Sequence, residues 1–122
     1  MKRLQSMLGP ILKDNAFYRH KLNEAGIKRC EDVLTMDDYR RLPFTSKDDL
    51  SADQMAHPPY GTNLTVSQDQ FIRVHQTSGT TGQPLRWLDT DESWTWFAKC
   101  WEAVYQGAGI TSADRIFFAF SY

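Results

Sequence analysis

The chain has 122 residues, 41% of them hydrophobic and 24% charged, which suits one small globular unit and argues against extended disorder. Its formal net charge of −1 supplies no basic footprint for nucleic acid, and no apolar run reaches the length of a membrane span, so neither is expected as a partner. Cys30 and Cys100 are too few for a secreted disulfide framework and have no metal-ligand spacing, and Gln5, Ser6, Gly9, Pro10 and Lys13 interrupt any signal-like start, which together point to a reducing cytoplasm.

Leu4, Met7, Leu8, Ile11 and Leu12 recur at the spacing of one helical face, although Pro10 is expected to kink or displace that helix. A second helix is predicted from about Ala16 to Ala25, stopped by Gly26, with Phe17, Tyr18 and Leu22 as packing residues. Thr35 and Ser46 each precede a pair of acids, Asp37/Asp38 and Asp48/Asp49, the pattern of a capped helix start. Adjacent carboxylates on a helix point in different directions, so capping is the better account of both pairs than acid/base or metal chemistry. Pro43 separates these two short helices, and Pro58-Pro59-Tyr60-Gly61 marks a loop.

Phe71 to His75 and Leu85 to Leu88 have strand composition. Thr90-Asp91-Glu92-Ser93 then opens the best helix of the chain, with Trp94, Phe97, Trp101, Val104 and Tyr105 as an apolar stripe and Gly107 and Gly109 as its stop. The stripe is expected to be core rather than a ring-binding surface. A last strand is predicted from Arg115 to Phe120. The expected fold class is therefore α/β: a mainly helical segment over residues 1–60, then over 61–122 the start of an α/β region, incomplete and not an independent second domain.

Between the first two strands lies Thr77-Ser78-Gly79-Thr80-Thr81-Gly82-Gln83-Pro84. Phosphate oxygens need donors that approach closely, and backbone N–H groups turned into a small nest provide them. Gly79 and Gly82 remove the side chains that would obstruct such an approach. Thr77, Ser78, Thr80 and Thr81 add hydroxyl donors, and Pro84 gives a rigid exit. A mobile surface turn is the rival reading, and the tight framing by two strands argues against it. The loop is not a Walker loop, because Gln83 follows Gly82 and no lysine occurs between Lys47 and Lys99. Arg86 is the nearest cation, as consistent with a solvated surface residue as with a phosphate contact. His75 is expected to be packed or hydrogen-bonded, and His20 and His57 have no spacing that suggests metal or triad chemistry.

Thr-Ser-Gly-Thr-Thr-Gly-x-Pro resembles the phosphate-binding signature of the adenylate-forming enzymes. Phe17 to Leu22, Leu42 to Leu50 and Arg73-Val74-His75 narrow the resemblance to the phenylacetate-CoA ligase branch, over nearly the whole chain. One departure is that Leu85-Arg86 stands where many members of the wider superfamily have Lys-Gly after the proline. The resemblance implies the opening of the large domain of an enzyme that activates a carboxylic acid, an aromatic one in this branch, with ATP and Mg²⁺ and passes the acyl group to coenzyme A. It assigns Thr77, Ser78, Gly79, Thr80, Thr81 and Gly82 to the ATP phosphates, and assigns no catalytic base, nucleophile or metal ligand. The family's metal-associated acid, ribose aspartate and catalytic lysine lie beyond its phosphate loop and have no counterpart before Tyr122. The chain alone is accordingly expected to be an inactive N-terminal part of such a ligase. The second reading is a non-catalytic binding or interaction module derived from one, whose apolar strand after Arg115 would need a partner; a homodimer is left open.

Overall fold

The computed structural model describes residues 2–78 and 83–119. Its first helices, α1 (Lys2–Asp14) and α2 (Ala16–Glu24), pack together because each presents an apolar stripe to the other. Leu8, Leu22, Ile27 and Val33 form the buried centre, with Leu4, Ile11, Leu12, Tyr18 and Leu42 around it. Helix α1 continues through Pro10 rather than being displaced by it. Pro10 and Ser6, whose carbonyl the proline leaves without an intrahelical donor, are both exposed, so water can satisfy the freed oxygen.

The turn out of α2 is a Schellman cap. Ile27 N–H donates to the Leu22 carbonyl at 2.8 Å and Gly26 N–H to that of Asn23 at 3.0 Å, with Gly26 at φ +77°. The same turn delivers Ile27 into the core against Leu22. Thr35 and Ser46 cap α3 (Met36–Arg40) and α4 (Lys47–Ala56), and Asp38 and Asp49 reach back to their cap N–H groups, both at 2.9 Å. One acid of each pair, Asp38 and Asp49, is thus a cap, as the sequence indicates, while Asp37 pairs with Arg40.

Two polar anchors join the helices to the segment beyond them. Asn15, only 2% exposed, accepts from the Tyr18 N–H and donates to Asn63 Oδ1 and Thr65 Oγ1, each bond at 3.0 Å. Asp53 on α4 accepts from the Thr62 N–H at 2.7 Å and the Thr62 hydroxyl at 2.6 Å. Buried or half-buried polar groups of this kind fix one arrangement, because leaving any of them unpaired is costly.

Strands β1 (Phe71–Gln76) and β2 (Arg86–Thr90) form an antiparallel two-stranded sheet with Arg73 opposite Asp89, Val74 opposite Leu88, His75 opposite Trp87 and Gln76 opposite Arg86. Thr90 ends β2 and caps α5 (Asp91–Gly107), its hydroxyl accepting from the Ser93 N–H at 3.1 Å. Two sequence expectations fail here. Residues 115–119 form no strand, and Phe120 lies outside the described residues; strand composition stabilises a strand only when a neighbour takes up its backbone groups. The α5 stripe is not core either, since no residue of that helix is buried. No helix among the described residues is long and apolar enough to cross a membrane.

Candidate functional site

The Gly/Ser/Thr loop is the turn of the β1–β2 hairpin. Of its six candidate residues, Thr77 and Ser78 are described, whereas Gly79, Thr80, Thr81 and Gly82 lie outside the described residues. Thr77 closes the stem in two ways. Its N–H donates to the Leu85 carbonyl, and its Oγ1 accepts from the Leu85 N–H, both at 2.9 Å. A hydroxyl that accepts in this way can still donate its own proton to a further acceptor. Leu85 is buried and Ser78 is exposed, so the staple faces the protein while the next hydroxyl faces outward.

A second brace comes from α4. The Gln54 side chain donates to the Arg86 carbonyl at 2.7 Å and accepts from the Arg86 N–H at 3.0 Å. It thereby imitates a neighbouring strand at the first residue of β2. The Arg86 guanidinium donates to the Pro59 carbonyl at 3.1 Å and to Gln76 Oε1 at 3.4 Å. These contacts make Arg86 a structural tie between the hairpin and the Pro59 turn, a role that neither reading of the sequence names. Nothing in local spacing announces the Gln54 brace, which joins residues 32 positions apart.

On the other face of the hairpin, Arg73 and His75 both meet Trp94 at the start of α5. The Arg73 guanidinium carbon stands 4.3 Å from the ring centroid, and the His75 ring lies 5.3 Å away at 14° to the indole. Asp89 ties this cluster together, approaching His75 Nε2 at 3.4 Å and accepting from the Ser93 hydroxyl at 2.9 Å. His75 is therefore packed and partnered, as the sequence suggests. The aspartate and tryptophan that hold it escape the sequence reading, because each reads on its own as a strand or helix residue.

The acids with shifted titration all serve structure. Asp49 is held down at about 2, first by the Lys21 ammonium at 2.6 Å and then by the Ser46 N–H. The Thr35 hydroxyl and N–H lower Asp38, and the Thr111 N–H and hydroxyl lower Asp114. A general acid needs the opposite shift, so these groups act as fixed anions at helix starts and turns. Among the described residues, no group of three or more His, Cys, Asp or Glu side chains is arranged to hold a metal ion.

Comparison with known proteins fits this geometry to a longer enzyme. The chain is 28% identical over all 122 residues to a phenylacetate-coenzyme A ligase of Pseudomonas putida and 30% identical over 121 residues to that of Escherichia coli K12, spanning 26% of each. A phenylacetate-coenzyme A ligase of Thermus thermophilus is 36% identical over 83 residues, 68% of this chain and 17% of the relative. No family model matches the chain. In structure, 89% of the chain superposes on 22% of 2-hydroxyisobutyryl-CoA ligase in its postadenylation state with 2-HIB-AMP, at a TM-score of 0.80 and 31% identity. An open conformation of that ligase with 2-HIB-AMP and CoA matches equally well, at a TM-score of 0.80. The chain thus spans about a quarter of the length of the ligases it matches from end to end. Its sequence is thus similar to one part of phenylacetate-coenzyme A ligases, and its fold matches one part of an adenylate-forming coenzyme A ligase.

Proposed function

We propose that this chain contributes the phosphate-holding loop of an acid–coenzyme A ligase, with Thr77, Ser78, Gly79, Thr80, Thr81 and Gly82 receiving the β and γ phosphates of ATP. The observation that carries the reading is the hairpin stem. Thr77 and Leu85 close it by two hydrogen bonds, immediately before an outward-facing Ser78. A stapled stem matters because free loop residues cost about 1–2 kcal/mol each to order, comparable with the gain from the hydrogen bonds they make to an anion.

ATP bound there would supply the α-phosphorus that the acid's carboxylate attacks, with pyrophosphate leaving. The loop's task is electrostatic: its N–H and O–H donors hold the leaving phosphates and stabilise the charge that develops on them. No group of this chain is assigned as base, nucleophile or ligand of Mg²⁺. The carboxylic acid, aromatic in this reading, and coenzyme A would be bound by parts of the ligase fold outside this quarter. Residues 1–60 serve as a helical support and residues 61–122 as the opening of the nucleotide-binding region, in a cytoplasmic enzyme.

The test uses the chain as it stands. Titration of ¹⁵N-labelled protein with pyrophosphate and with ATP should shift amide signals of residues 77–82, with a Kd no tighter than millimolar because most of the enclosing fold is outside this quarter. Micromolar binding would contradict the expected weakness. Shifts confined to other residues would contradict the site.

A further inference from the structure

At 100° per residue, Trp94, Phe97, Trp101 and Tyr105 run along one line of α5, and Val104, Cys100 and Trp96 widen the apolar sector to about half the helix circumference. A helix on the surface of a globular protein needs a sector of only about 100°. The rings on the line touch in series, with centroids 5.3, 6.2 and 5.7 Å apart from Trp94 through Tyr105. The first of them, Trp94, meets the hairpin through Arg73 and His75. Beyond it, Trp101 is 43% exposed, Phe97 48% and Trp96 67%.

The same half of the chain exposes two more unsatisfied features. Strand β1 pairs only with β2 among the described residues, and its Ile72 and Val74 are more than half exposed. Ile116 and Phe117, in a run with strand composition, lie in no strand and are exposed. By contrast, the helical part has a closed core of its own around Leu8, Leu22, Ile27 and Val33. A small ring ligand could cover one or two rings of α5, and would leave the sheet edge and the strand-forming run unanswered. A polypeptide answers all three, because it can add a backbone edge and lay side chains over the helix. The shared fold indicates which polypeptide, since the chain superposes at a TM-score of 0.80 on a ligase of which it covers 22%.

We infer that the face built by β1, α5 and residues 115–119 is a docking surface for the complementary part of an acid–coenzyme A ligase fold. That partner adds a strand beside the hairpin and packs apolar side chains over Phe97, Trp101 and Val104. The inference rests on the shared fold and not on the loop's phosphate role, so a complex without adenylation activity would refute the proposed function and leave the docking surface standing.

The experiment co-expresses this chain with 2-hydroxyisobutyryl-CoA ligase from which the matched segment has been removed, tagged on the ligase. An equimolar complex should co-purify, with tryptophan emission blue-shifted and acrylamide quenching reduced relative to the chain alone. Phe97→Glu and Trp101→Glu change exposed residues, so the far-UV spectrum of the chain should stay the same while recovery of the complex falls about tenfold or more. Phe44→Glu, at a residue 95% exposed before α4, should bind as the parent does. Because the deleted ligase is not expected to fold alone, the same substitutions are also placed in a hybrid in which this chain replaces the matched segment. There Phe97→Glu and Trp101→Glu should abolish soluble protein, and Phe44→Glu should not. Absence of both a complex and a soluble parent hybrid, equal behaviour of all three variants, or a homodimer of this chain that blocks the partner would each overturn the inference.

Discussion

Gln54 and Arg86 form a two-bond amide pair that fixes the outer edge of β2 to α4. Each bond is partly open to water, so Gln54→Ala should cost about 1–2 kcal/mol in total. Urea denaturation should show a lower midpoint at an unchanged slope. Gln54→Glu keeps an acceptor for the Arg86 N–H but removes the donor for its carbonyl, and should fall between the two.

Thr77 and Leu85 predict a sharper contrast. Thr77→Val removes the acceptor of the Leu85 N–H, in a residue only 4% exposed, and should destabilise by about 1–3 kcal/mol. Thr77→Ser keeps the oxygen and should stay within about 0.5 kcal/mol of the parent. Loss in Thr77→Ser with none in Thr77→Val would show that the methyl group, not the hydroxyl, holds the stem.

At Gly61 the backbone has φ +76°, and an added Cβ would collide with the Asp53 carboxylate that holds Thr62. Gly61→Ala should therefore cost at least about 2 kcal/mol, combining backbone strain with a disturbed hydrogen-bond pair. A melting temperature unchanged by this substitution would contradict the contact.

The Lys21–Asp49 pair sets a pH dependence. Asp49 is lowered from its ordinary 3.8 to about 2, so its folded form is the weaker base. Its contribution is present above pH 4 and is lost as pH falls from about 4 towards 2, where the unfolded chain takes up the proton first. Stability measured across that range should fall less steeply in Lys21→Met than in the parent. Identical slopes would remove the pair as a cause.

What the sequence reveals here depends on how far each cause extends along the chain. The caps at Thr35, Ser46 and Thr90 and the turn at Gly26 rest on partners within a few residues, and all are legible. The hairpin is legible because its strands flank one short loop. Gln54 beside Arg86 and Asn15 beside Asn63 and Thr65 are not, since residues far apart in sequence meet only after folding. That α1 tolerates Pro10 is not legible from the intrinsic preference of proline, because it depends on Ser6 being open to solvent. The apolar character of Ile116 to Ala119 and of the α5 stripe is legible, but a strand or a core also needs a neighbour to cover it, and among the described residues Ile116, Phe117, Phe97 and Trp101 stay exposed. The candidate site itself is legible as a motif, and the structure adds the closed stem that supports it.

The central claim is that residues 77–82 hold the leaving phosphates during acid activation. The most direct measurement is acid-dependent ATP–pyrophosphate exchange in a hybrid in which this chain replaces the matched quarter of the Escherichia coli phenylacetate-coenzyme A ligase. Exchange with phenylacetate should be present in the parent hybrid and fall on the order of a hundredfold in Ser78→Ala and in Thr80→Ala. Exchange at the parent rate in both variants would contradict the claim.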